Sequence, residues 1–289
     1  MKEKIAFIGL GVMGFPMAGW LSKAGYSVSV FNRTEIRSKN WLEQFSGSMR
    51  KTPLAASKGA DIVCICVGND DDVIDVMSGP NGILKGLSAG TVVIDHTTTS
   101  ATLSKKLSKE VSLRKSSFID APVSGGQQGA ENGNLTTMCG GDAVVFARVK
   151  EVIESFSQAV TLIGPSGSGQ LCKMVNQICI AGVVQGLAEA INFAERAGLD
   201  AGQVIDVISK GAAQSWQMEN RYETMLSGDY EHGFAVEWMR KDLAIALDEG
   251  KENGSDLSLV EMVDRFYAEV QDLGGNRWDT SSLLARLKS

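Results

Sequence analysis

Residues 9–14 read Gly9-Leu10-Gly11-Val12-Met13-Gly14, a G-x-G-x-x-G that follows an apolar run and opens a helical stretch. In that context each glycine has its own task. Gly9 permits a tight turn, Gly11 lets the backbone approach a pyrophosphate, and Gly14 lets helix and strand pack. The helix N-terminus adds unpaired N–H groups for the phosphates, so the whole segment, Leu10, Val12 and Met13 included, is a candidate dinucleotide-binding loop. The next strand-like segment ends in Asn32-Arg33-Thr34, with Asn32 lying 18 residues after Gly14. NAD sites usually place Asp or Glu about 20 residues on, to bind the ribose hydroxyls. A carboxylate there would repel a 2′-phosphate, whereas a guanidinium and a hydroxyl would receive it through charge-assisted hydrogen bonds. The expected cofactor is NADP; Glu35 offers a carboxylate nearby and keeps NAD open.

Other chemistries find little footing. A Ser-His-Asp hydrolase or a His-rich metal site would have to be built around His96 and His232, and no metal-ligand spacing is present. The five cysteines are odd in number in a chain of 289 residues, which argues against a disulfide framework. Cys64 and Cys66 share a strand face as buried thiols, which points to a reducing cytoplasm. The balance of 28 basic and 34 acidic residues leaves a charge of −6, unsuited to a nucleic acid or an anionic membrane. The longest apolar run, Ile178 to Val184, is far short of the roughly 20 residues a membrane span needs. The N-terminus reads as a strand, without a signal-peptide layout.

The elements that must position these residues fall into two halves. Strand-like segments at Lys4–Gly9, Ser27–Asn32, Asp61–Val67 and Thr91–His96 alternate with helical ones. "SFIDAPV", "LTTMCGG" and "AVTLIG" are further strands. Such alternation implies a doubly wound parallel sheet with both faces covered. From Gly169 to about Ala197 runs one long helical pattern, with Leu171, Val175 and Ile178 on one face and a middle apolar nearly all round, expected to be buried on several sides. Helical segments follow at Ala201–Lys210, Gln217–Leu226, Glu237–Asn253 and Leu257–Leu273. The expected domains are 1–164 and 165–289, α/β and all-α.

Four segments in this order resemble the 3-hydroxyisobutyrate dehydrogenase, or β-hydroxyacid dehydrogenase, family. They are "GLGVMGFPMAGWLSKAG" (Gly9–Gly25), "DAPVSGGQQGAENGNLTTMCGG" (Asp120–Gly141), "GPSGSGQLCKMVNQ" (Gly164–Gln177) and "KDLAIAL" (Lys241–Leu247). The family includes glyoxylate/succinic semialdehyde reductases and tartronate semialdehyde reductase. The resemblance implies a Rossmann-type NADP-binding domain, a long interdomain helix and an all-α C-terminal domain, as in 6-phosphogluconate dehydrogenase. It also implies roles. Lys173 matches the catalytic lysine, Ser124, Gly125 and Gly126 the loop that binds the substrate carboxylate, and Asn176 a substrate-holding asparagine. Lys241 matches a lysine near the cofactor, Asp242 its neighbour at the site, and Phe234 a wall of the substrate pocket, with core packing open as its other role. Val67, Gly68 and Thr98 match cofactor-contacting positions, and Asp72 stands where relatives often have Asn.

The chemistry implied is hydride transfer between a nicotinamide and the carbon bearing the hydroxyl of a small 3-hydroxy acid or its semialdehyde. 3-Hydroxyisobutyrate, succinic semialdehyde, glyoxylate and tartronate semialdehyde are the types expected, with Lys173 as general acid/base. Asn176 lies three residues on, on the same helix face. The "PVSGG" segment makes an anion clamp, with backbone N–H groups and the Ser124 hydroxyl as donors. The family implies a homodimer or homotetramer. The alternatives are an imine reductase, which usually lacks lysine at this position, and a non-catalytic cofactor-binding scaffold, which needs neither Lys173, Ser124 nor Asn176.

Overall fold

The computed structural model describes residues 2–288. The chain forms two compact units, Met1–Lys173 and Met174–Ser289. In the first, nine strands alternate with helices. The strands are β1 (Lys4–Ile8), β2 (Ser27–Phe31), β3 (Ser48–Met49), β4 (Ile62–Ile65), β5 (Val92–Asp95), β6 (Ser117–Asp120), β7 (Val123–Ser124), β8 (Leu135–Gly140) and β9 (Ser157–Gly164). The helices are α1 (Gly14–Lys23), α2 (Glu35–Gln44), α3 (Pro53–Ser57), α4 (Asp70–Ser78), α5 (Ala101–Ser112), α6 (Gly126–Glu131) and α7 (Ala143–Glu154).

The strand order starts β3-β2-β1-β4-β5-β6, all parallel, which is the doubly wound order with its switch point between β1 and β4. Alternate residues supply the two covered faces. Ile5, Phe7, Cys64 and Ile94 enter one core cluster, while Ala6, Ile8, Val63, Ile65 and Val93 enter the other. The sheet is not parallel throughout. β8 runs antiparallel to β6 and β7, and β9 then pairs parallel to β8. The reason is local: the link from Ser124 to Leu135 holds only the short α6, and a parallel crossover takes about a dozen residues or more. "SFIDAPV" accordingly divides into β6 and β7 at Ala121-Pro122, where proline has no N–H for a ladder.

The division between the units falls inside α8 (Ser168–Arg196), beyond the Gly164 boundary read from the sequence. The second unit continues with α9 (Ala201–Ile208), α10 (Trp216–Ser227), α11 (Val236–Asn253), α12 (Ser258–Asp272) and α13 (Leu283–Lys288). Its core gathers Val184, Leu187 and Ile191 of α8 with Met239, Leu243, Val260, Val263 and Tyr267. Arg240 bridges α11 to α12 by forking onto the two carboxylate oxygens of Asp264 at 2.9 and 3.0 Å.

α8 departs from expectation in two ways. By length and composition it is apolar enough to cross a bilayer, which a search for uninterrupted apolar runs misses; its Ala181, Val184, Leu187, Ala188 and Ile191 are packed in the helical core instead. Its middle is also buried on one side rather than several. Val175 and Val183, at 61% and 40% exposure, remain outside, because the helices of this unit cover one face only.

Candidate active site

The first unit places its predicted residues beyond the carboxyl ends of the parallel strands, where ligands of open α/β sheets bind. After β1, Gly9 adopts φ +99°, and a Cβ there would sit 2.1 Å from the Cys66 carbonyl oxygen, so both its backbone and its closeness to the end of β4 demand glycine. A Cβ on Gly14 would meet the Gly9 oxygen at 2.1 Å, which is the helix–strand packing the spacing implied. A Cβ on Gly11 would meet nothing within 4 Å. Its backbone therefore borders open space, the cradle that a pyrophosphate needs.

The Asn32 side chain holds this loop rather than merely bordering it. Its Oδ1 accepts from Leu10 N at 2.8 Å, and its Nδ2 donates to the Thr34 carbonyl at 3.0 Å. Arg33 extends outward with 83% of its side chain exposed and pairs with Asp72, on α4 after β4, at 3.0 Å. Thr34, at the N-terminus of α2, has an exposed side chain. Arg33 is thus free of the core, and Asp72 meets it, a pairing invisible in the sequence. These residues fit a dinucleotide, with a glycine cradle for its pyrophosphate.

Val67 and Gly68 follow β4. Val67 N donates to Thr97 Oγ1 at 3.1 Å, and Thr97 N donates to Asp95 Oδ1 at 2.9 Å, so the ends of β4 and β5 are tied together beside the partly exposed Thr98. After β6 the chain turns through Ser124, Gly125 at φ +127° and Gly126 at φ +60° into α6. No side chain caps that helix, which leaves backbone donors of the turn for an anion. Lys173 lies in the second turn of α8 and is 7% exposed.

Two buried groups near these strand ends have displaced proton affinities. Burial raises the Asp95 carboxyl from 3.8 to about 7, and burial lowers His96 from 6.5 to about 4. The His96 ring is structural: its Nδ1 meets the Ala121 carbonyl at 2.8 Å and its plane stands edge-on to Phe156. The two groups act oppositely on stability. Between about pH 4 and 7 the unfolded chain releases the Asp95 proton that the fold keeps, so Asp95 stabilises less as pH rises through that window. Between pH 6.5 and about 4 the unfolded chain takes up a proton that folded His96 refuses, so His96 stabilises less as pH falls. The two slopes cancel where they overlap. Asp95→Asn should therefore unmask a rise in unfolding free energy with pH of roughly 1.4 kcal/mol per unit across that overlap. Urea denaturation of both proteins at the two ends of the window checks this; parallel pH curves would refute it.

The second unit brings its own residues together. Asn176 Nδ2 donates to Gln177 Oε1 at 2.8 Å, Gln177 Nε2 donates to Asp242 Oδ2 at 2.6 Å, and Lys241 Nζ pairs with Asp242 Oδ1 at 3.0 Å. Phe234 packs on the edge of the helical core, its backbone N–H donating to Asp279 Oδ2 at 2.8 Å. Gln177, Gln170 and Asp120 hold these segments in place and carry no role in the sequence reading. A signal for two of them existed: Gln170, Lys173 and Gln177 fall at gaps of three and four on one helix face, and all three are buried.

No group of acidic, histidine or cysteine side chains among the described residues is placed to hold a metal ion.

Over residues 4–164 the chain matches the NAD binding domain of 6-phosphogluconate dehydrogenase, and over residues 167–287 the NAD-binding family of NADP-dependent 3-hydroxyisobutyrate dehydrogenase. It is 60% identical to an oxidoreductase of Shewanella frigidimarina over 99% of its own length and 98% of that protein's. It is 33% identical to the 2-hydroxy-3-oxopropionate reductase of Escherichia coli, over 99% of this chain and 97% of that one. Among solved structures, the 3-hydroxyisobutyrate dehydrogenase of Mycobacterium tuberculosis with L-serine superposes with a TM-score of 0.89 at 27% identity, covering 100% of both chains. On these matches the chain belongs to the 3-hydroxyisobutyrate dehydrogenase, or β-hydroxyacid dehydrogenase, family of NAD(P)-dependent oxidoreductases.

Proposed function

We propose that this protein is a cytoplasmic, NADP-preferring β-hydroxyacid dehydrogenase that reduces a small aldehyde acid, or oxidises the matching 3-hydroxy acid, with Lys173 as general acid/base. The observation that carries the reading is the burial of Lys173, 7% exposed, at the start of α8 in the same unit as the glycine cradle. Lysine is seldom buried this far, so Lys173 is not an ordinary solvated surface charge. Small carboxylates are the substrate class named for the Escherichia coli relative and the ligand in the Mycobacterium tuberculosis structure. The cytoplasmic assignment rests on the cysteines, none of which forms a disulfide among the described residues.

When bound, the nicotinamide supplies or accepts the hydride. The protein does the rest. As the substrate carbon is reduced, charge develops on its oxygen, and the Lys173 ammonium donates a proton there, leaving a neutral amine that reprotonates from solvent. Backbone N–H groups of Gly125 and Gly126 and the Ser124 hydroxyl hold the carboxylate and so orient the carbonyl. In the second unit, Gln177 holds Asn176 and Asp242 holds Lys241. Arg33 receives the 2′-phosphate. Initial rates of NADPH and NADH oxidation against a panel of short aldehyde acids test the reading: turnover of at least one, faster with NADPH at low cofactor concentration, is expected. Cofactor binding without turnover of any would overturn it. Ser124→Ala should raise KM for the acid about tenfold, the loss of one hydrogen bond to a charged group, while leaving NADPH affinity unchanged. Titration of both ligands separates the clamp from a general loss of structure.

We propose likewise that the protein is a homodimer or homotetramer. Val175, Cys179, Val183, Gly186, Ala190 and Phe193 follow one another along α8 at gaps of three and four, all exposed. That is the spacing of a helix–helix seam, and Phe193 alone leaves 71% of its surface in water. Val183→Asp with Phe193→Asp should lower the mass seen by light scattering to that of one chain; an unchanged mass would place the contact elsewhere.

A further inference from the structure

We propose that Gln170 is a positioning residue whose buried side-chain amide holds Lys173 in register with the cofactor-side loop Thr97–Thr99; the catalytic part of this rests on the function proposed above. Gln170 is 0% exposed. Its Oε1 accepts from Thr99 N at 3.0 Å and its Nε2 donates to the Thr97 carbonyl at 2.7 Å. The amide thus grips the residues on either side of Thr98, the position assigned to the cofactor. Only a carboxamide offers a donor and an acceptor in this fixed arrangement. Gln170 stands three residues before Lys173, so the gripped side chain and the lysine share a helix face.

The backbone at Gln170 is held as firmly. Its N–H donates to Asp120 Oδ2 at 3.1 Å, and Gly167 N donates to Asp120 Oδ1 at 2.7 Å. Asp120 itself is fully buried at the end of β6. A Cβ on Gly169 would lie 2.4 Å from the Met138 carbonyl oxygen, so the first turn of α8 sits against the sheet as closely as glycine allows. Thr97 continues the link to β4 through Val67 N. The G-S-G-Q run of the third signature is therefore an anchor. Asp120 sets where α8 begins, and Gln170 ties it to the loop beside β5, one turn before the lysine.

A lysine displaced by about 1 Å can lose on the order of a hundredfold in rate, while the glycine cradle and Arg33 do not depend on Gln170. Gln170→Met keeps the volume and removes both bonds; Gln170→Glu keeps the acceptor but sets an oxygen against the Thr97 carbonyl. The expected result for each is a fall in kcat of about 30-fold or more, with NADPH Kd and substrate KM within about threefold of wild type. The deuterium isotope effect with 4-deuterated NADPH should rise toward its intrinsic size, since chemistry becomes slower than release. A merely structural role would lower Tm and leave kcat per folded molecule and the isotope effect unchanged, and that result would overturn the proposal. If Gln170→Met does not fold, Gln170→Glu decides. If wild type reduces no aldehyde acid, the functional reading fails separately, and hydrogen exchange decides the tie: a Thr99 amide as protected in Gln170→Met as in wild type would overturn it.

Discussion

Lys173→Ala is expected to bind NADPH normally and to reduce aldehyde acids about 10² to 10⁴ times more slowly than wild type, the range a positioned general acid contributes. The loss should fall on kcat and on kcat/KM equally, because the proton is delivered only as charge develops on the substrate oxygen. Lys173 is 7% exposed, so truncation also opens space along its stem. Lys173→Met separates the two effects. It refills the volume without the ammonium and should be as slow as alanine, with a higher Tm. Steady-state rates, NADPH titration and thermal melts of the three proteins settle the matter. A methionine variant that turns over at a near-normal rate would remove Lys173 from the chemistry and leave the family's other residues to account for it.

Arg33→Ala is expected to weaken NADPH by about 10- to 100-fold and to leave NADH within a factor of two. The estimate follows from one charged hydrogen bond to a phosphate, about 1.5–3 kcal/mol, at roughly 1.4 kcal/mol per decade. The Arg33–Asp72 pair competes for the same guanidinium, with the Arg33 side chain 83% exposed and that of Asp72 29%. An exposed pair of this kind contributes at most about 1 kcal/mol, so the phosphate wins and the aspartate only discounts its binding. Asp72→Asn should therefore tighten NADPH by no more than about fivefold. Fluorescence titrations of wild type and both variants with each cofactor give the answer. Equal losses for NADPH and NADH in Arg33→Ala would move the 2′-phosphate away from Arg33.

The order of strands and helices, the glycine cradle and the long helix were legible in the chain because each is decided by near neighbours. The unbroken apolar run from Ile5 to Ile8, the strand–glycine–helix sequence at Gly9–Gly14 and the helix-period pattern after Gly167 need no distant residue to be recognised. Asn32 stands out by its spacing alone, but that its side chain holds the Leu10 amide is visible only in the structure. What the tertiary structure decided lies at long separation. Gln170 meets Thr97 across 73 residues and Asp120 across 50, Gln177 meets Asp242 across 65, and Arg33 meets Asp72 across 39. Each of these pairs forms because strand order or helix packing delivers two segments to one place, and no local pattern carries that order. The antiparallel β8 and the exposed face of α8 belong with them. A sequence states that a segment is apolar or extended, but which neighbour covers it, and on which side, is settled only when the layers assemble.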